Sequence, residues 1–215
     1  MVSSKPVIIM GTGGHAKVVA DVLELSKVEV LGFVTPDLEI ELEFCGKKVL
    51  GDDSLISQYP ADEIELANGI GSLPGKNLRW QLTDKMRKQG YSFVTIVHPD
   101  AIIGPDVSLG EGVQVMAGVI IQAETKIGKD SIINTGALID HDCKIAENCH
   151  IAPGVICGGG IEIGANTHIG IGTIVAEYRS IGSNCIIASG SVVYKDVLDN
   201  TTLIQTKWQK QKIKE

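Results

Sequence analysis

The second half of the chain carries an apolar residue every six positions, without a break, over sixteen successive repeats. Four residues after most of these positions the side chain is small or β-branched, and Arg179 is the clear exception. A period of six fits neither a helix nor simple strand alternation, so the chain repeats a larger unit. We predict a parallel β-helix in which each six-residue repeat forms one flat face and three faces make a triangular coil. The repeat positions are Ile103, Leu109, Val115, Ile121, Ile127, Ile133, Ile139, Ile145, Ile151, Cys157, Ile163, Ile169, Val175, Ile181, Ile187 and Val193.

The composition excludes several classes of protein. A net charge of −7 over 215 residues argues against nucleic acid as a partner, because phosphate binding requires a basic surface. The apolar stretch near the N-terminus, Val7–Met10, is too short for a signal peptide or a membrane span. We therefore expect a cytoplasmic protein with no membrane span.

The placement of the cysteines favours a reducing compartment. Cys157 occupies a core position of the repeat, and Cys143, Cys149 and Cys185 occupy the small position four residues later. Cysteine packs well as a small buried hydrophobe, so we expect these four to fill the core rather than to form disulfides or bind a metal. Unpaired cysteines are typical of the cytosol.

The first hundred residues follow a different rhythm, in which short apolar runs alternate with helical spacing. This alternation predicts a small, Rossmann-like α/β domain with a parallel sheet. Pro99 marks the domain boundary, because proline ends a strand and the six-residue register begins four residues later. We predict an α/β domain over 1–98, a β-helix domain over 99–200 and a C-terminal tail over 201–215. The predicted strands are Pro6–Met10, Val28–Val34, Glu63–Ile70 and Tyr91–Val97, and the predicted helices are Ala16–Leu25 and Leu78–Gln89.

A glycine-rich turn follows the first predicted strand. Gly11 and Gly13, with Ala16 three residues on, match the looser form of the dinucleotide-binding fingerprint. The glycines let the backbone approach a phosphate, and the helix N-terminus offers it unpaired N–H groups. The same residues also suit a simple β–α turn. A complete cofactor domain would be larger, so we favour the diphosphate of a nucleotide-linked substrate over NAD, with Asp37 placed to meet its ribose or base.

Polar residues gather in the repeats around His141, which lies off the core ladder between Asp140 and Asp142. Because residues eighteen apart stack in adjacent coils, Gly159 should lie one coil from His141, about 4.8 Å away. Acyl transfer needs such a pairing, in which a histidine base takes a proton and an open backbone N–H receives the oxyanion. The alternative is an exposed turn histidine without a catalytic role.

The other histidines of the repeat region are candidate metal ligands. His150 and His168 are also eighteen residues apart, so they should stack, and for His168 we favour a structural role. A metal site of the carbonic-anhydrase kind needs a close histidine pair and a distant third ligand. The intervals here are nine and eighteen residues, so we expect no metal.

Two segments together carry a family resemblance that extends along nearly the whole chain. They are Gly11–Val19 (GTGGHAKVV) and Ile133–Cys143 (INTGALIDHDC). The chain resembles the nucleotide-sugar acetyltransferases of the left-handed β-helix class, which include the N-acetyltransferases of bacillosamine, perosamine and viosamine pathways and sialic acid O-acetyltransferase-like proteins. The resemblance implies a left-handed coil, a homotrimer, and acetyl-CoA lying between neighbouring prisms. Many members end in Gly-x-Pro-Ala-Lys after the last coil, where this chain has Ile204–Trp208.

The resemblance also implies roles for particular residues. His141 would be the general base, with Asp142 orienting it. His150 and the Gly159 N–H would hold the acetyl carbonyl, and Asn134 would join them in binding acetyl-CoA. The residues expected around the nucleotide diphosphate are Gly11, Gly13, Gly14 and His15.

The predicted activity is direct transfer of acetyl from acetyl-CoA to the 4-amino group of a nucleotide-linked 4-amino-4,6-dideoxy sugar. A UDP-sugar of the bacillosamine pathway is favoured, for bacterial surface glycan biosynthesis. The inward cysteines favour direct transfer, since none is offered as a nucleophile. Two alternatives stay open: O-acetylation of sialic acid or another sugar, and a non-catalytic trimeric binding scaffold.

Overall fold

The computed structural model describes residues 5–37 and 42–204. Most of the predicted C-terminal tail, including the residues after Ile204 that depart from the family pattern, lies outside these ranges. No helix within them is long and apolar enough to cross a membrane.

A five-stranded α/β sheet opens the chain. The elements of this part are β1 (Val7–Met10), α1 (Gly14–Leu25), β2 (Val30–Val34), β3 (Glu43–Phe44), β4 (Lys47–Gly51), a 3-10 helix (Asp53–Gln58), β5 (Glu65–Asn68) and α2 (Leu78–Lys88). The strand order is β3-β4-β2-β1-β5, parallel except for the β3–β4 hairpin, which the sequence prediction missed. The strand β1 is buried at every residue, as its uninterrupted apolar run requires.

The segment Tyr91–Val97 does not form the fourth sheet strand that the sequence predicted. Phe93 makes only an isolated bridge to Leu66 of β5. Ile96–Val97 instead pairs in parallel with Gln114–Val115, at the start of the β-helix. The following coil offers a parallel partner in register, so the chain leaves the α/β sheet before the segment ends.

The rest of the described chain is the predicted solenoid, with three parallel sheets that form the faces of a prism and are consistent with a left-handed β-helix. Face 1 has seven strands: Ile96–Val97, Gln114–Val115, Ile132–Ile133, His150–Ile151, His168–Ile169, Ile186–Ile187 and Thr202–Leu203. Face 2 has six: Ile102–Ile103, Ile120–Ile121, Leu138–Ile139, Ile156–Cys157, Ile174–Val175 and Val192–Val193. Face 3 has five: Ser108–Leu109, Lys126–Ile127, Lys144–Ile145, Glu162–Ile163 and Ser180–Ile181.

The second residue of each strand points inward, and the resulting apolar ladder is the core of the prism. From Val115 to Val193 these ladder residues are at most 3% exposed, which confirms the six-residue register. Only the first coil, at Ile103, is open to solvent. Strands in adjacent coils pair with partners eighteen residues away, except that the last strand, Thr202–Leu203, pairs sixteen residues from Ile186–Ile187.

The three corners of the prism each contain a column of residues with positive φ. The corner between faces 1 and 2 uses glycine throughout: Gly118, Gly136, Gly154, Gly172 and Gly190. The corner between faces 2 and 3 uses Asp106, Glu124, Asp142, Gly160 and Tyr178. The corner between faces 3 and 1 uses Gly112, Asp130, Asn148, Asn166 and Asn184. Asn and Asp tolerate this left-handed conformation better than other non-glycine residues.

Helix α2 fastens the α/β sheet to the prism. Arg87 forms an ion pair with Asp130, which is 4% exposed, and also reaches Glu111 at 3.1 Å. On the sheet side, the Gln114 side chain of face 1 donates to the Asn68 carbonyl at the end of β5, at 2.9 Å. The two parts of the chain are therefore joined by buried polar contacts.

Candidate active site

His141 lies at the corner between faces 2 and 3, in the turn after Leu138–Ile139. Its Nδ1 is 2.7 Å from Oδ2 of Asp142, and its backbone N–H donates to Oδ1 of Asp140 at 2.8 Å. The carboxylate of Asp142 therefore fixes the ring and favours the tautomer that carries its proton on Nδ1. Nε2 is left with its lone pair, as a general base requires.

The pKa of His141 is raised above its ordinary value. The main cause is the hydrogen bond to Asp142, and the negative charge of Asp140 adds to it. Both carboxylates stabilise the imidazolium that would form when the ring accepts a proton. The two carboxylates therefore make His141 a stronger base.

Gly159 lies one coil from His141, as the eighteen-residue arithmetic predicted. A Cβ at Gly159 would stand 2.7 Å from both Cε1 and Nε2 of His141, so the imidazole occupies the space that any side chain would need. The coils are tied here by a hydrogen bond of 2.8 Å from the Gly160 N–H to the His141 carbonyl. The Gly159 N–H donates to no acceptor within the described ranges and is available to an oxyanion.

The cysteines of the prism are structural, as predicted. Cys143, Cys149, Cys157 and Cys185 are at most 1% exposed, and no disulfide joins any of the chain's five cysteines, all of which the structure describes. Burial raises the pKa of the Cys149 thiol to about 12 and also raises that of Cys143, two residues from His141. A buried thiol held protonated is a poor nucleophile.

The glycine turn after β1 combines one strained backbone position with open space at its other two glycines. Gly11 has φ +92°, and a Cβ there would stand 3.1 Å from the Ile70 side chain. At Gly13 and Gly14 a Cβ would meet nothing within 4 Å, so the chain itself does not explain their lack of a side chain. Gly13 caps α1 without a side-chain acceptor, which leaves the first amides of the helix for an external anion.

This turn faces the crevice at which α/β sheets bind ligands. The chain runs outward from β1 to β2 and β4 and then returns to β5 on the other side, so the strand order reverses between β1 and β5. Gly69, which follows β5, packs against α1 so closely that a Cβ would stand 2.8 Å from that of Ala16. Asp37 is exposed beyond β2, where its N–H donates to Oγ1 of Thr35 at 3.3 Å.

His15, in the first turn of α1, is turned toward the prism. Its Nε2 is 2.7 Å from Oε1 of Gln114. Burial, and secondly the positive charge of Arg79, lower the pKa of His15 to about 4. His15 is therefore neutral at pH 7.

His150 points outward from face 1 and is held by two hydrogen bonds. Its Nε2 is 3.1 Å from Nδ2 of Asn134, and its Nδ1 is 3.1 Å from the Ser72 carbonyl. The Thr135 N–H donates to Oδ1 of Asn134 at 2.8 Å, so the Asn134 amide must donate to His150. Both ring nitrogens are thus engaged, and a bond to an acetyl carbonyl would require one of these contacts to break.

The predicted stacking of His150 and His168 is confirmed. Their ring centroids are 4.8 Å apart with the planes at 80°. His168 lines a cavity of about 460 Å³ beneath the segment Ser72–Asn77, and its Nδ1 is enclosed without a partner among the described residues. Burial lowers the pKa of both rings, that of His150 to about 3.

The structure therefore divides the predicted site residues, apart from the exposed Asp37, into two groups. His141, Asp142 and Gly159 lie at the corner between faces 2 and 3. The other group lies on or beside face 1, the side of the prism opposite that corner. It comprises Gly11, Gly13, Gly14, His15, Asn134 and His150. One copy of the chain does not bring the two groups together.

Several residues beside these groups were missed by the sequence analysis. Gln114 and Ser72 make the contacts between face 1 and the α/β part, and Arg79 donates to the carbonyls of Asn68 and Ile70 beside them, which only the three-dimensional contacts show. Tyr178 is an aromatic residue with φ 54°, and its exposed ring covers Gly160 beside the catalytic candidates. The sequence could have pointed to Tyr178, because it occupies a corner position of the repeat that otherwise takes Gly, Asp or Glu. Among the described residues, no group of three His, Cys, Asp or Glu could hold a metal ion.

Comparison with known proteins supports the resemblance found in the sequence. Residues 6–86 match the family model of the PglD N-terminal domain, and residues 124–159 match that of the bacterial transferase hexapeptide (six repeats). The chain is 30% identical over 115 residues to UDP-N-acetylbacillosamine N-acetyltransferase of Bacillus subtilis (strain 168). That alignment covers 53% of this chain and 52% of the relative, about half of its length.

Solved structures match over nearly the whole chain. A histidine-to-asparagine variant of perosamine N-acetyltransferase from Caulobacter crescentus, in complex with CoA and GDP-perosamine, superposes with a TM-score of 0.85 at 36% identity, covering 94% of each chain. The acetyltransferase domain of PglB from Neisseria gonorrhoeae FA1090, in complex with acetyl coenzyme A, superposes with a TM-score of 0.85 at 27% identity, covering 93% of this chain and 96% of that one. The fold and site define a hexapeptide-repeat acyltransferase. The chain belongs to the family of nucleotide-sugar N-acetyltransferases.

Proposed function

We propose that this protein transfers acetyl from acetyl-CoA to the 4-amino group of a nucleotide-linked 4-amino-4,6-dideoxy sugar. The observation that carries the proposal is the exposed His141–Asp142 pair, with an open Nε2 beside the Gly159 backbone. The Bacillus relative is named for UDP-N-acetylbacillosamine and the Caulobacter structure holds GDP-perosamine, so a nucleotide amino sugar is the common substrate class. The UDP-sugar of the bacillosamine pathway, for surface glycan synthesis, stays our favoured acceptor.

The chemistry needs few groups. The sugar amine attacks the thioester carbonyl carbon while Nε2 of His141 accepts its proton. The developing oxyanion receives a hydrogen bond from the Gly159 N–H, and the intermediate collapses with release of the CoA thiolate, which takes up a proton. Each step has its donor or acceptor without an acyl-enzyme, in agreement with the buried, protonated cysteines.

A homotrimer explains why the two groups of site residues are separate. Face 2 carries an outward column of exposed apolar side chains, among them Leu138, Ile156 and Ile174, at 37%, 42% and 45% exposure. Such a column is typical of a buried interface between copies. If three prisms turn face 2 toward a common axis, the corner that holds His141 meets the next copy's corner between faces 1 and 2.

The glycine column at that corner supports the same arrangement. A Cβ at Gly136, Gly154, Gly172 or Gly190 would meet nothing within 4 Å, whereas equivalent positions at the other corners accept Asp, Asn, Glu or Tyr. Glycine leaves space for something outside the single chain. We infer that acetyl-CoA lies along this column, between neighbouring prisms, with Asn134 and His150 at the same edge.

The cytoplasm is the proposed compartment. All five cysteines lie in the described ranges as free thiols, and acetyl-CoA is the co-substrate of the proposed reaction.

Release of CoA from acetyl-CoA tests the function. The wild type should release CoA with an amino-sugar nucleotide and not with its hydroxy-sugar counterpart. His141→Ala should lower kcat by about a hundredfold or more. Asp142→Asn should lower the pKa of His141, so the acid limb of the pH–rate profile should move to lower pH. Faster transfer to the hydroxy sugar would favour O-acetylation, and no CoA release with any acceptor would favour a binding scaffold.

Mixed trimers test the shared site. Gly13→Asp places a carboxylate in open space where the diphosphate should bind, so the fold should tolerate it while binding is lost. Neither Gly13→Asp nor His141→Ala should be active alone, but random mixing should restore roughly a quarter of the wild-type sites. Mixed samples as inactive as the single variants would contradict a site shared between copies.

A further inference from the structure

The amide of Gln114 has only one possible orientation. Its Nε2 donates to the Asn68 carbonyl at 2.9 Å, and a carbonyl oxygen can only accept. The same carbonyl also accepts from Nη1 of Arg79 at 2.8 Å. The amide oxygen of Gln114 must therefore be the atom that faces His15.

This orientation fixes the proton on His15. Because Oε1 of Gln114 is an acceptor, Nε2 of His15 must carry a hydrogen to bond with it at 2.7 Å. Burial and the guanidinium of Arg79, itself 2% exposed, keep the ring neutral. A neutral ring protonated on Nε2 carries a lone pair on Nδ1.

The lone pair on Nδ1 is unused and open. Nδ1 of His15 hydrogen-bonds to no described residue, and it is not among the enclosed polar atoms. Through the covalent geometry of the ring, Nδ1 is the nitrogen nearer the backbone of His15, which follows Gly13 and Gly14 in the first turn of α1. The glycine turn therefore combines N–H donors, which suit phosphate, with one neutral acceptor, which does not.

We propose that Nδ1 of His15 accepts a hydrogen bond from the C3 hydroxyl of the hexose and so selects the sugar rather than binding the diphosphate. This inference rests on the proposed function for the class of substrate. In a 4-amino-4,6-dideoxy hexose nucleotide, C1 bears the phosphate, C4 the amine and C6 a methyl group. Where C2 carries an acetamido group, C3 holds the only hydroxyl. It is adjacent to the reacting amine, so a bond there would orient that amine.

Two substitutions separate the nitrogens of His15. In His15→Asn the amide oxygen can stand where Nδ1 was, whereas His15→Gln can retain the contact with Gln114 but offers nothing at Nδ1. Binding is measured by calorimetry without acetyl-CoA, using GDP-perosamine, UDP-2-acetamido-4-amino-2,4,6-trideoxyglucose and their 3-deoxy counterparts. The free nucleoside diphosphates serve as the control ligands, and circular dichroism checks that each variant folds.

We expect the wild type to bind the parent sugar about tenfold more tightly than its 3-deoxy counterpart. His15→Asn should keep that preference, and His15→Gln should lose it by weakening only the parent sugar. Affinity for the nucleoside diphosphate should be unchanged in both variants. Loss of diphosphate affinity in His15→Gln, or an equal loss for parent and 3-deoxy sugars, would overturn the inference. The calorimetry is done without acetyl-CoA and so does not depend on acetyl transfer. If the CoA-release assay showed no acetyl transfer, the proposed function would be refuted, but the result of the binding test would still stand.

Nitrogen NMR of histidine-labelled protein gives a second measure that does not depend on the variants' binding. The ring of His15, assigned by its absence from His15→Asn, should show a protonated Nε2 and a bare Nδ1 at pH 7. The Nδ1 signal should move when the parent nucleotide sugar is added and stay in place with the nucleoside diphosphate. A ring protonated on Nδ1 would contradict the proposal.

Discussion

His150 should make the folded protein sensitive to mild acid. In the folded state burial, and secondly the positive charge of a protonated His168, lower its pKa from 6.5 to about 3, while Ser72 opposes the shift and His15 and Arg79 add to it. In the unfolded chain the ring takes up a proton near its ordinary pKa. The unfolded state therefore binds more protons below pH 6.5, and the free energy of unfolding must fall as the pH falls.

The size of the effect follows from the shift. Between pKa values of 6.5 and about 3, the linkage amounts to at most about 5 kcal/mol, since each unit is worth about 1.4 kcal/mol. Most of this is lost at a pH where carboxylates also titrate. Between pH 6.5 and 5 the carboxylates stay largely ionised. Over this range the protonation of His150 in the unfolded state should by itself lower the free energy of unfolding by about 2 kcal/mol.

The assay compares urea unfolding of the wild type and His150→Gln at pH 7, 6 and 5, at one fixed protomer concentration because oligomers unfold by mass action. Glutamine does not titrate, so between pH 7 and pH 5 the free energy of unfolding of the variant should fall by about 2 kcal/mol less than that of the wild type. His141→Asn is the matched control. His141 is exposed and its folded pKa is raised, so removing it should not reduce the loss in acid. Parallel pH profiles for the wild type and His150→Gln would refute the idea that His150 is held neutral.

Two further predictions concern interfaces. Arg87→Met should lower the free energy of unfolding by about 3–5 kcal/mol, because it leaves the buried carboxylate of Asp130 without its cation. Adding Asp130→Asn to this variant should recover part of the lost stability. Urea unfolding measures both effects. Ile156→Asp should give folded monomers, as measured by light scattering, and should abolish acetyl transfer. Ser108→Asp on face 3 is the control and should leave the trimer intact. If Ile156→Asp still formed trimers, face 2 would be excluded as the interface.

The prism was predictable because its core repeats with the backbone. Each strand contributes one inward residue, so the six-residue register alone placed Cys157 inside and His141 outside. The same register placed Gly159 beside His141, since parallel coils stack without offset. A periodic sequence determines these relations locally, from one coil to the next.

The α/β part of the chain has no repeating period from which the positions of its residues could be predicted. The hairpin of Glu43–Phe44 and Lys47–Gly51 consists of short, largely exposed strands that lack the apolar alternation from which strands are predicted. Ile96–Val97 has the composition of an α/β strand, and its choice of the prism depends on a partner in the next coil. Tertiary context decided both outcomes.

The outward residues of face 1 show why the site was only half visible in the sequence. Gln114 and His150 each occupy a position that the coil leaves to solvent, so the repeat places no demand on their chemistry. Both are buried, because the end of β5 and the segment after it cover them, and each bonds to a backbone carbonyl there, at Asn68 and Ser72 respectively. Face 1 is thus a docking surface for the loop that borders the glycine turn, and the tautomer of His15 is set by a residue 99 positions away. The prism therefore does more than carry His141. Its first face also fixes the hydrogen-bonding character of the glycine turn that we propose binds the substrate.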